Sequence, residues 1–464
     1  MTAAEIAAAV RGGNTSAVAI TRETLARIAA EDSRYNAFTT VTAARALAEA
    51  EAVDRTIAAG NDPGALAGVP YAVKNLFDVR GEVTLAGSKI NRSRAPAAFD
   101  ATTVSRMGAA GAVLVGMLNM DEYAYGFTTE NAHYGPTRNP HAADRIAGGS
   151  SGGCGAAVGA GLVPIALGSD TNGSIRVPSA LCGVYGLKPT FGRISRGGTF
   201  PFVYSLDHIG PFAASAGDLA LAYDAMQGAD ARDPMCAARP PELTSERLGR
   251  GIAGLRIGLL GGYFHDNTNA DAWQAVEAAA HALGVTRTIE LPEVERARAA
   301  AFVITASEGG QLHLPNLKTR RADFDPLTRD RLSAGALVPA NWYLQAQRLR
   351  RWFSDEVRGV FEHFDVLLAP ATPTAATRIG QETMTIRGRE VALRPNMGIL
   401  TQPISFIGLP VAVAPVGESG GLPLGVQIIA PAWREDLCLR VASTLEGYRR
   451  VGFEASAGAT VSES

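Results

Sequence analysis

Seven short apolar runs constrain how this chain can fold. They are "GVPYAVKN" at 68–75, "AVLVGMLN" at 112–119, "LVPIALGSD" at 162–170, "GLRIGLLGG" at 254–262, "DVLLAPATP" at 365–373, "LPVAVAPV" at 409–416 and "LGVQIIAP" at 424–431. None carries more than one charge. A strand with one face in water alternates apolar and polar residues; runs this uniformly apolar need cover on both faces. Segments with helical periodicity lie between them. "DATTVSRMGAAG" precedes the second run and "SGGCGAAVGAG" the third. This alternation predicts an α/β fold, a central mixed β-sheet covered on both faces by helices. The sixth and seventh runs lie close enough to pair as a hairpin.

The rest of the chain supplies the cover. Residues 1–60 read as a helical N-terminal segment packed on the core, with Thr15 or Ser16 as the cap of "AVAITRETLARIAAE". A core follows over 61–240, then a helical, substrate-facing insert over 241–360, then a return to the sheet over 361–464, all within one compact domain. Further helices are predicted at 270–284, 340–362 and 434–449, with "QRLRRWF" at 347–353 on the surface. The Pro-, Arg- and Ala-rich stretch 230–250 links the two halves, and the polar tail "EASAGATVSES" is expected to fray.

Composition removes several function classes. Lys and Arg number 43 against 45 Asp and Glu, a net charge of -2. That argues against nucleic acid as the main partner, because phosphate binding leaves a basic excess. Cys154, Cys182, Cys236 and Cys438 are far apart and form no C-x-x-C pair, so they read as small core residues. The first residues, "MTAAEIAAAVRGGNT", lack the basic segment of a secretory signal. The uncharged run from Ile146 to Ser169 is interrupted by glycines, serines and Pro164, which makes a poor membrane helix. No membrane partner, metal or cofactor is expected, and the expected location is the cytoplasm.

Three fragments carry chemistry: "GVPYAVKN" with Lys74, "AGGSSGGCG" with Ser150 and Ser151, and "GSDTNGSIRVPS" with Ser174. A serine hydroxyl is a weak nucleophile until a base takes its proton. None of the seven histidines lies in a glycine-rich turn. Lysine can take that place if burial keeps it neutral. Lys74 ends an apolar run, where such burial is available; a solvated lysine at a strand end is the competing reading. "GGSSGG" is not followed by the Lys-Ser/Thr of a phosphate loop. It runs straight into an apolar segment, which argues against a flexible linker. A glycine-rich turn can instead converge backbone N–H groups on a developing oxyanion, and "DTNGS" suits that work.

These fragments, in this order, resemble the amidase signature family. So do "ATTVSRMGAAGAVLVGMLNMDEYAYGFTTEN", "YGPTRNP", "SLDHIGP", "DVLLAPATPT" and "LGVQIIAPAWRED", and the resemblance covers roughly residues 5–450. It implies a Ser–Ser–Lys triad. Ser174 is then the nucleophile, Ser150 the bridging serine after a cis peptide bond, and Lys74 the base. The backbone N–H groups of Thr171, Asn172, Gly173 and Ser174 form the oxyanion hole. Asp170 and Arg176 support the loop. One position departs from the pattern: many members carry Gly where this chain has Asn172, whose side chain then narrows the pocket or meets the substrate.

The chain is similar to the branch of that family that includes the glutamyl-tRNA amidotransferase A subunits. The resemblance implies hydrolysis of a small carboxylated urea derivative, 1-carboxybiuret to urea-1,3-dicarboxylate and ammonia, within cyanuric acid and s-triazine breakdown. A carboxylated substrate calls for a cation. "LKTRRADFDPLTRDRLSAG" offers Arg320, Arg321, Arg329 and Arg331, with Arg331 the first candidate and Arg329 the second. The competing reading is a solvated helix face of Arg–Asp pairs. The resemblance also implies a small helical accessory subunit like the amidotransferase C subunit, and a homo-oligomer is compatible with it. Two alternatives stand beside this reading. One is a glutaminase subunit of a tRNA-dependent amidotransferase. The other is a non-catalytic scaffold, against which the intact Lys74, Ser150 and Ser174 argue.

Overall fold

The computed structural model describes residues 1–451, so the polar tail lies outside the described residues. The seven apolar runs all become strands of a single sheet of 11 strands. In chain order the strands are β1 (Phe38–Val41), β2 (Pro70–Lys74), β3 (Val113–Leu118), β4 (Ile165–Asp170), β5 (Tyr185–Lys188) and β6 (His208–Ala213). They continue with β7 (Ile257–Leu260), β8 (Thr288–Ile289), β9 (Val366–Pro370), β10 (Val411–Ser419) and β11 (Leu422–Ile429). Their spatial order is β1-β3-β2-β4-β6-β5-β10-β11-β9-β7-β8. The ladders β3-β2-β4 and β9-β7-β8 are parallel and the others antiparallel, so the sheet is mixed. The central strands β2, β3 and β4 are buried along their whole length. Helices cover both faces, as uniformly apolar strands require.

The expected hairpin forms between β10 and β11. Its two-residue turn is Gly420-Gly421, with φ of 58° and 76°, the left-handed pair that a tight hairpin turn demands. Four strands escape the apolar pattern: β1, β5, β6 and β8. β6 reads "HIGPFA", and proline is rare inside a sheet. Within β6, β5 pairs only with Phe212 and Ala213, so Pro211 lies beyond that ladder and faces Leu167 of β4 on the other side.

Three helices lead and follow β1. They are Ala3–Arg11, Ala17–Glu31 and Ala43–Ala58. Ser16, rather than Thr15, caps the second, its Oγ accepting from the Ala19 amide at 3.0 Å. The stretch 230–250 is tied to the core: the Asp224 carboxylate accepts from both the amide and the hydroxyl of Thr244 and of Ser245. The span 241–360 holds helices but also gives β7 and β8 to the sheet. Its longest element is the helix Val294–Thr319, followed by Pro326–Gly335 and Ala340–Val360. Among the described residues no helix is long and apolar enough to cross a membrane.

The glycines of "GGSSGGCG" serve close packing as well as turning. The helix Gly152–Gly159 lies against the chain leaving β3, and a Cβ on Gly153 would stand 2.6 Å from both the amide nitrogen and the carbonyl oxygen of Asn119. Gly153→Ala is therefore expected to destabilise the fold by about 1–3 kcal/mol through overpacking. Denaturant unfolding measures this, and an unchanged midpoint would contradict so close an approach.

Candidate active site

β2 ends on Lys74, whose side chain is fully buried. Its Nζ lies 2.7 Å from Ser150 Oγ, 2.8 Å from Ser151 Oγ and 2.9 Å from Ser169 Oγ. All three partners are hydroxyls. Burial lowers the pKa to about 8, against the smaller raising effects of Cys154, Asp121, Asp170 and Asp207. A neutral amine has two N–H donors and one lone pair, so three hydroxyls match it when one of them donates.

Ser150 and Ser151 stand just before the helix Gly152–Gly159, and the Gly149–Ser150 peptide bond is cis. The Ser150 carbonyl accepts from the Asp121 amide at 3.2 Å, and Ser151 Oγ donates to the Ser169 carbonyl at 3.1 Å. Ser169 and Asp170 are consecutive in β4, so their side chains point to opposite faces. Ser169 reaches Lys74, while Asp170 reaches Arg176.

Asp170 and Arg176 form an ion pair with no solvent exposure on either side chain. Arg176 Nε and Nη2 donate to the two carboxylate oxygens, each at 3.0 Å. Nη1 donates to the Thr401 carbonyl at 3.0 Å and to Gln427 Oε1 at 2.7 Å, and Nη2 also bonds Ser405 Oγ. Burial alone would raise the Asp170 pKa. The charge and hydrogen bonds of Arg176, helped by Lys188 and His208, hold it far below the usual carboxylate range.

Between this pair lies the turn Thr171–Ser174, which leads into the helix Arg176–Cys182. Thr171 Oγ1 donates to Asp207 Oδ1 at 2.6 Å, and the Asn172 carbonyl accepts from Thr401 Oγ1 at 2.7 Å. Gly173 has φ of 140°, and a Cβ there would stand 2.1 Å from Thr401 Oγ1, so the position admits only glycine. Ser174 is 2% exposed and lines a narrow pocket. Asn172, Tyr125, Phe302, Thr305 and Arg331 line it too.

The structure separates the arginines. Arg331 stacks on Tyr125, its guanidinium carbon 3.7 Å from the ring centroid, and donates to the Tyr125 carbonyl at 3.2 Å. Burial pulls its pKa below the usual guanidinium value. Among the described residues no carboxylate pairs with it. Arg329 lies on Asp330 at 2.9 Å and does not line the pocket. Arg320 pairs with Asp323 and Arg321 with Asp330, so the solvated-face reading describes these three and not Arg331. The helix that carries Arg331 is anchored by the buried Glu122, which accepts from the Asp325 amide at 2.8 Å and from Ser88 Oγ at 2.7 Å.

No histidine among the described residues bonds Ser150 or Ser174. His208 donates from Nδ1 to the Asp170 carbonyl at 3.0 Å, and burial keeps its pKa well below the usual range. No group of His, Cys, Asp or Glu among the described residues could hold a metal ion. Sequence reasoning missed Ser169, Tyr125, Phe302 and Thr305. Only Ser169 leaves a signal, as a polar residue next to Asp170 at the end of an apolar strand.

A buried lysine on three serine hydroxyls, and a further serine on the turn that follows β4, are groups that amide cleavage through a serine nucleophile would use. The amidase family model matches residues 19–439, and the chain belongs to that family. It is 58% identical to AtzE, a 1-carboxybiuret hydrolase subunit of Pseudomonas sp. (strain ADP), across 96% of this chain and 98% of that protein. It is 40% identical to the A subunit of glutamyl-tRNA(Gln) amidotransferase from Azotobacter vinelandii, across 95% of this chain and 96% of that one. A solved vestigial protein complex, described as revealing the evolutionary origins of an s-triazine catabolic enzyme, superposes with a TM-score of 0.95 at 57% identity. That match covers 97% of this chain and 99% of the other. A bacterial aryl acylamidase of the amidase signature family superposes with a TM-score of 0.88 at 29% identity, covering 99% of this chain and 98% of its own.

Removing the guanidinium from the buried pair leaves Asp170 charged and unpaired. Arg176→Ala is expected to cost about 3–5 kcal/mol of stability. Thermal and denaturant unfolding read this directly, and a loss below about 1 kcal/mol, the range of surface pairs, would contradict its role as a structural tie.

Proposed function

We propose that this chain is an amidohydrolase that removes ammonia from 1-carboxybiuret and leaves urea-1,3-dicarboxylate. The observation that carries this reading is one small pocket holding both Ser174 and Arg331, a guanidinium without an acidic partner. The high identity to the Pseudomonas hydrolase protein supports the substrate.

Neutral Lys74 takes the Ser150 Oγ proton as Ser150 takes that of Ser174, and Ser174 Oγ bonds to the terminal carbamoyl carbon. Backbone N–H groups of Thr171, Asn172, Gly173 and Ser174 stabilise the oxyanion. The proton returns through Ser150 to the amide nitrogen, the C–N bond breaks and ammonia leaves. Water then gives a proton to the same relay and attacks the acyl carbon, and Ser174 departs with its proton restored. Arg331 holds the far carboxylate with a charge-assisted hydrogen bond. Arg329, committed to Asp330, takes no part.

A small helical accessory subunit, like the amidotransferase C subunit, completes the enzyme in this reading. In support, the Pseudomonas relative is itself one subunit of its enzyme, and the s-triazine neighbour was solved as a complex. Unpaired cysteines at all four positions, three of them buried, support a reducing compartment and so the cytoplasm.

The test is ammonia release from fresh 1-carboxybiuret, biuret and glutamine. Selective turnover of carboxybiuret, lost by roughly three or more orders of magnitude in Ser174→Ala, is expected. Glutamine turnover instead would move the chain to an amidotransferase role. Because only neutral Lys74 can act, kcat/KM should climb about tenfold per pH unit below about 8 and level off above it. A profile flat from pH 6 to 9 would remove Lys74 as the base. Arg331→Met should raise KM for the carboxylated substrate about 10- to 100-fold with a smaller effect on kcat. Unchanged constants would place the carboxylate elsewhere.

A further inference from the structure

Asn172 is 7% exposed and lines the pocket beside Ser174 and Arg331. Its side-chain Nδ2 donates to Thr305 Oγ1 on the long helix at 2.9 Å. Its carbonyl is held by Thr401. Both ends of the residue are thus pinned, and the donor half of the amide is committed. The acceptor half is not: Asn172 Oδ1 is buried and has no hydrogen-bond partner. Buried acceptors in native proteins are almost always satisfied. This one sits two residues before the nucleophile, in a wall that also carries Phe202 and Phe302.

We infer that Asn172 Oδ1 is a specificity element that accepts a hydrogen bond from the substrate N–H adjacent to the scissile carbonyl. The inference rests on the proposed function and names what that pocket reads. A ureido substrate carries an N–H at the atom where a carbon amide carries a methylene. The ureido N–H satisfies Oδ1; the methylene leaves it desolvated and unpaired, which a pocket built for a polar group penalises heavily. The neutral amide suits this work better than a carboxylate, which would repel the anionic substrate and hold the proton on Lys74.

The test uses two stable carboxylated ligands that differ only at that atom, 3-ureidopropionate (N–H) and glutaramate (methylene). Their dissociation constants are measured by calorimetry on the full chain carrying Ser174→Ala, which cannot turn them over. The ureido ligand is expected to bind about 10- to 100-fold more tightly. Adding Asn172→Leu, or Asn172→Gly if the bulkier variant unfolds, should bring the ratio to within about threefold of unity. Asn172→Asp, which keeps an acceptor oxygen, should weaken both anionic ligands and retain the preference between them. Equal affinities in the parent, a preference that survives both Leu and Gly, or binding of neither ligand would overturn the inference. Carboxybiuret turnover is a separate readout. An inert enzyme that still prefers the ureido ligand through Asn172 would remove the functional reading and leave this one standing.

Discussion

The buried pair of Asp170 and Arg176 is the interaction on which the surrounding structure depends. Two charges without solvent are costly unless every donor and lone pair finds a partner. Here the guanidinium meets Asp170, the Thr401 carbonyl, Gln427 and Ser405. Those partners come from β4, from the segment around 401–405 and from β11, and Gln427 is 251 residues from Arg176 in sequence. Gln427 in turn donates to the carbonyls of Pro370 and Leu400. The same segment supplies Thr401, which closes on the Asn172 carbonyl and leaves no room for a side chain at position 173. The shape of the nucleophile turn is therefore set from the C-terminal half of the chain.

The apolar runs were legible because burial on both faces leaves its mark on every residue of a strand. The four strands that were not legible are short or carry Pro211, and their place is decided by neighbours rather than by propensity. The helix Val294–Thr319 was hidden in the same way. Gly309, Gly310 and Pro315 interrupt its pattern, and its packing against Pro326–Gly335 and Ala340–Val360 overrides them. Lys74, Ser150 and Ser174 could be singled out as chemistry-bearing, but their roles came from resemblance, because sequence alone does not bring a lysine to a serine 76 positions away.

The arginines show where sequence reasoning stops. Arg329 and Arg331 are two positions apart on one helix, which turns them to different sides of it. One meets Asp330 at the surface; the other slides over Tyr125 into the pocket. Both satisfy the same requirement for a cation, and what distinguishes them is the carboxylate beside Arg329 and the ring beneath Arg331. The pocket wall was illegible for a related reason: Thr305 and Phe302 belong to the helix whose pattern was hidden, and their meaning comes from the turn they face.

β4 carries a consequence in its parity. Its consecutive residues Ser169 and Asp170 separate an alcohol from an anion by nothing more than the alternation of a strand. A slip of one residue against β2 and β6 would exchange them, setting the carboxylate on Lys74 and the hydroxyl on Arg176. The lysine would then hold its proton, and the arginine would lose its counter-ion. The register that fixes which side of the sheet is acidic also fixes which side is basic, so ladder alignment and acid–base competence are inherited together.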